Sequence, residues 1–159
     1  MVNPFLAVPR DRLKAWRHLR ESCCQGMDDV GYLSKVAEFW GNAPISSPYL
    51  DYTDPVTWPD AWILIDSNDF DLNAIGLGMF YTLVLASDQR WVHRTQLMYI
   101  RNYNQSTERL VVVVDDVLVL NYQHGSPSRW PLEDPIMIMH RYIYHPATRS
   151  ISEQDNTLT

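Results

Sequence analysis

Cys23 and Cys24 are the only cysteines in the 159-residue chain. Being adjacent, they are unsuited to an ordinary structural disulfide, and their spacing matches no zinc knuckle, which points to a reducing compartment. Set beside one of the five histidines, either thiol could act as the nucleophile of a hydrolase or transferase. His140 and His145 lie five apart on an expected strand and so face opposite sides of it, which denies them a shared metal ion unless a bulge intervenes. His18, His93 and His124 stand alone and read as partly exposed or hydrogen-bonded side chains before they read as ligands.

The acidic run Asp66-Ser67-Asn68-Asp69-Phe70-Asp71 has oxygen donors at calcium-like intervals. Counted from Asp66, an EF-hand needs an oxygen donor where Phe70 stands, a glycine at Asp71 and a glutamate at Leu77. Capping of consecutive helices explains the same residues more simply. Asp115 and Asp116 are adjacent carboxylates, and a hairpin turn accounts for them. The chain has no G-x-S-x-G, P-loop or dinucleotide fingerprint, and no cofactor or metal is expected.

The elements that would position these residues can be read from periodicity. Pro9 suits a first helical position, and Leu13, Trp16, Leu19 and Cys23 form one apolar stripe, with Arg12, Arg17 and Arg20 off it. Asp28 or Asp29 caps a second helix whose stripe is Val30, Leu33, Val36 or Ala37, and Trp40; it ends at Gly41-Asn42. Residues 41–59 form a proline-rich but packed loop, and Pro59 opens a short helix. Asp69 or Asp71 then caps DLNAIGLGMFYTLVLAS, apolar on nearly every side and therefore the central buried helix. Gly76 and Gly78 within it predict a closely packed backbone neighbour, since each costs about 1 kcal/mol of helix propensity against Ala.

Beyond residue 88 the period changes. WVHRTQLMYIRN predicts a strand, RLVVVVDDVLVLNY a hairpin turning at Asp115-Asp116, and PIMIMHRYIYHP a further strand. Helices first and strands second predict an α+β domain: N-terminal helices and one buried central helix on a small, mainly antiparallel sheet. It is expected to span residues 1–146, with 147–159 as a frayed polar tail.

Composition narrows the partners. The net charge of −6 divides into +3 over residues 1–25, −9 over 26–88 and zero over the rest, which excludes a general nucleic-acid coat. Eleven of the thirteen basic residues are Arg, and there are six tryptophans, both favoured at protein interfaces. Arg10, Arg12, Arg17, Arg20, Trp58 and Trp130 are the candidate interface residues. Other protein subunits of a larger assembly are the expected partners, and a nucleic-acid contact through the four arginines is a lesser alternative. No run of apolar residues is long enough to cross a membrane, nor does the N-terminus read as a signal peptide.

The order of buried helix, strand and hairpin over residues 58–125 resembles the core of the transglutaminase-like branch of the papain-type superfamily. In that branch a Cys opens the central helix, a His sits on the following strand, and an Asp or Asn on the next strand orients the His. The resemblance places DLNAIGLGMFYTL as the helix and Asn121 as the orienting residue. Phe70 and Asp71 stand where the family has Cys, and valine where it has His, which implies an inactive member. The segments NPFLAVPRDRLKAWR, SSPYLDYTDPVTWPDAWILI, GLGMFYTL and VLNY also resemble small structural proteins of tailed bacteriophages. That likeness implies a non-enzymatic neck, tail or baseplate component, made in the host cytoplasm and carried in the virion. The alternative is a cysteine-dependent hydrolase or transferase of transglutaminase-like fold.

Overall fold

A computed structural model describes residues 3–46 and 49–154. Four α-helices, α1 (Pro9–Ser22), α2 (Asp29–Gly41), α3 (Ala61–Ser67) and α4 (Leu72–Val84), precede six strands. The strands are β1 (Thr95–Asn102), β2 (Thr107–Val114), β3 (Leu118–Gln123), β4 (Ser126–Arg129), β5 (Ile136–His145) and β6 (Ser150–Glu153). They form one antiparallel sheet in the order β4-β3-β2-β1-β5-β6. This is the α+β architecture expected from helices followed by strands.

Helix α4 is buried from Asn73 through Val84 because it packs against β1, β2 and β3 on one side and against α1, α2 and α3 on the other. Its capping residue is Asp71, whose Oδ1 accepts from the Ala74 N–H at 2.7 Å. Asp28 and Asp60 cap α2 and α3 in the same way. Gly76 meets the close backbone its position predicts: a Cβ there would lie 2.7 Å from the Leu110 carbonyl oxygen. At Gly78 the close neighbour is the Trp40 indole, a side chain and not a backbone.

The β2–β3 hairpin turns at Asp115 and Asp116, both left-handed (φ 55° and 56°), and the Val117 N–H closes the turn onto the Val114 carbonyl at 3.0 Å. Val112, Val114 and Leu110 face α4, while Val111 and Val113 face a second apolar layer with Met98, Ile100 and Val119. Trp130, Leu132, Ile136 and Ile138 pack against that second layer. The valine run is thus covered on both faces, as its lack of alternation requires.

Three expectations need correction. Val30 is 58 % exposed, and its neighbour Tyr32 takes the inward position on α2. Residues 150–153, expected to lie in a frayed tail, form β6 and pair with β5; residues 155–159 fall outside the described part. β4 was not expected at all, because a four-residue edge strand containing Pro127 carries neither length nor alternation.

Candidate functional site

The start of α4 lies against β2 and β3, and amide groups join the three. The Leu110 N–H donates to Asn73 Oδ1 at 3.0 Å. Asn121 Nδ2 donates to the Leu72 carbonyl at 2.9 Å and to the Leu110 carbonyl at 2.7 Å, which uses both of its amide protons. Asn121 holds a left-handed conformation (φ 69°), which asparagine tolerates better than most residues. Gly76 permits this approach, since a Cβ there would come within 2.8 Å of Asn121 Nδ2.

This junction of helix start, first strand and second strand is where the resemblance placed a nucleophile, a base and an orienting residue. Asn121, on β3, reaches this junction through its side-chain amide. The residues of the helix start that face the strands are Leu72 and Asn73, not Phe70 or Asp71. Phe70 is buried against Phe5 and Trp40, and Asp71 turns away to take the Leu50 N–H at 2.8 Å. The facing strand residue is Leu110, beside Arg109, whose Nη1 donates to the carbonyls of Asn121 and Tyr122 at 3.4 Å. A helix capped at Asp71 puts Asn73 in its first turn, so the capping aspartate was the signal from which Asn73 could have been found.

Next to the junction is a cavity of about 180 Å³ lined by Leu72, Ile75 and Met79 of α4, the end of α2, and Arg109, Asn121 and His124. On the far side of the helix start, Asp51, Asp69 and Asp71 line a larger cleft of about 470 Å³. Asp71 is committed to Ala74 and Leu50, and Asp51 Oδ1 accepts from both the N–H and the hydroxyl of Thr53.

The cysteines lie elsewhere. Cys23 follows α1 and Asp88 follows α4, which puts them at the end of α4 away from the junction, about 20 Å along its axis. No histidine hydrogen-bonds either thiol among the described residues. Burial pushes the Cys23 thiol pKa up, the reverse of what a nucleophile needs. His140 instead pairs with Glu153 and His145 with Ser152, both bonds tying β6 to β5.

The candidate interface residues do not form one face. Arg12 is 4 % exposed, and its guanidinium donates to the carbonyls of Ala7, Ile65 and Asp66, so it binds the chain to itself. Trp58 is 8 % exposed, and its Nε1 donates to the Asp51 carbonyl. Trp130 is half-buried on the second apolar layer, and Arg20 lies over the Trp16 ring at 4.1 Å. Only Arg10 and Arg17 of the six are exposed, and Arg17 pairs with Glu21.

The architecture is the transglutaminase-like fold. Three solved structures of LapG from Legionella pneumophila share it. One matches with a TM-score of 0.65 at 15 % identity, over 86 % of this chain and 77 % of that one. The calcium-bound structure gives 0.68 at 13 % identity over 96 % and 86 %, and the EGTA-treated structure 0.63 at 16 % over 84 % and 73 %. Identity this low carries the fold and not the activity. No protein-family model and no curated protein matches the chain.

Proposed function

We propose that the chain is a non-enzymatic protein on a transglutaminase-like scaffold that works through contacts with other protein subunits. The observation that carries this reading is the junction itself. Where papain-type chemistry needs a thiolate beside an imidazole, Asn73, Leu110 and Asn121 supply amides and an aliphatic side chain. Contacts then fall to exposed groups such as Leu6, Val8 and Arg10, which form one stretch at the head of α1. The narrower assignment to a bacteriophage neck, tail or baseplate rests on sequence texture, and the structural comparisons lend it no support.

The test is the size of the species that holds the chain at native abundance. The expected result is recovery in a multi-subunit assembly at fixed stoichiometry, and in purified particles if the virion assignment holds. Recovery as free monomer alone contradicts the proposal. A second reading, a cysteine-dependent hydrolase or transferase, is favoured by the fold shared with LapG. It requires Cys23 or Cys24 to act away from the helix start.

A further inference from the structure

The Cys23 and Cys24 sulfurs lie 3.7 Å apart, and a carboxylate oxygen of Asp88 joins them so that all three atoms fall within 4.8 Å of one another. A tetrahedral zinc ion with Zn–S bonds of about 2.3 Å holds two sulfurs about 3.8 Å apart. The pair therefore already stands at the separation such an ion imposes. Loop and helix end fix it there: Cys23 caps α1, and Arg90 ties Asp88 to the Cys23 carbonyl through Nε and Nη2.

A buried polar group packs on the same loop. Tyr32 is 1 % exposed and its hydroxyl has no hydrogen-bond partner among the described residues, although a buried hydroxyl left unpaired costs about 1–3 kcal/mol. Its ring stacks at 5.8 Å on Trp91, three residues beyond Asp88. We infer that Cys23, Cys24 and Asp88 form a binding site for a thiophilic divalent cation of the zinc class, with the fourth position open to water. Two sulfurs and one oxygen select such an ion over calcium or magnesium. On binding, both thiols release their protons to solvent. Two thiolates, one carboxylate and a divalent ion leave a single negative charge, which the Arg90 guanidinium beside Asp88 balances. The site is separate from the junction at the start of α4 and does not depend on the proposed function.

Cobalt(II) titration of the full chain, kept reduced, tests the inference by absorption. The expected result is saturation at a single equivalent, with thiolate-to-cobalt charge-transfer bands, tetrahedral d–d bands and displacement by zinc. Cys24→Ser changes an exposed side chain and should abolish the charge-transfer bands while leaving the far-UV dichroism unchanged. Asp88→Asn should weaken binding at least as much as the roughly 10–100-fold typical of losing an outer-shell partner. Absence of charge-transfer bands, or bands that persist in Cys24→Ser, overturns the site. Unchanged affinity in Asp88→Asn overturns the three-ligand assignment.

Discussion

Trp16 from α1 and Trp40 from α2 both donate their indole N–H to the Thr82 hydroxyl, each at 2.9 Å, and that hydroxyl donates in turn to the Gly78 carbonyl at 2.7 Å. One buried oxygen thus satisfies two of the largest core side chains and links three helices, with every capacity of the hydroxyl used. Thr82→Val keeps the shape and removes the acceptor, leaving two buried N–H groups unpaired. The expected loss is about 2–6 kcal/mol in urea unfolding, since each of the two orphaned donors costs about 1–3 kcal/mol. At the junction, Asn121→Ala leaves the Leu72 and Leu110 carbonyls without their donor and puts alanine in a left-handed conformation. A loss of about 1–3 kcal/mol is expected in the same assay. The burial of Arg12 was not legible in the sequence. Its place off the apolar stripe reads as solvent, and only the carbonyls left open at the end of α3 and beside Ala7 explain why it turns inward.

Among the elements, α4 and the β2–β3 hairpin were plain in the sequence. A thirteen-residue helix apolar on every side has to be central, and an Asp-Asp pair between β-branched runs has to turn. Strands β4 and β6 were hidden because edge strands need no alternation, and their pairing partners are set by the sheet, not by local pattern. The hairpin is tied to α2 by Arg94, which bridges Asp29 at 2.7 Å and Asp115 at 2.6 Å and lies over the Trp91 ring. Arg94 is the first cause that lowers both carboxyl pKa values below 3.8. A depressed folded value means stability that is present above the ordinary carboxylate range and lost as pH falls through the folded value. Each half-exposed bridge contributes less than about 1 kcal/mol. Arg94→Gln should therefore lower the melting temperature at about pH 7, with the difference from wild type shrinking as melts are taken down to about pH 3.

For the whole molecule, the sequence carried the fold class and the central helix. It did not carry which residues of the helix start face the strands, because that depends on the rotation of α4 fixed by the Asp71 cap and by Gly76 against Leu110. Nor did it show that the thiols sit at the opposite end of α4, a separation created by the path of α1 alongside that helix. The charge blocks have a structural outcome as well: Arg90 and Arg94, from the neutral half of the chain, pair with Asp29 and Asp88 of the acidic block. The proposed function requires that this transglutaminase-like scaffold work without cysteine catalysis. Turnover of amide and ester substrates by wild-type protein, compared with the Cys23→Ala/Cys24→Ala double variant, tests it most directly. The expected result is no cysteine-dependent turnover and no acyl adduct on either thiol by intact-mass measurement. Turnover that disappears in the double variant, with an acyl-thioester trapped on Cys23 or Cys24, would contradict it.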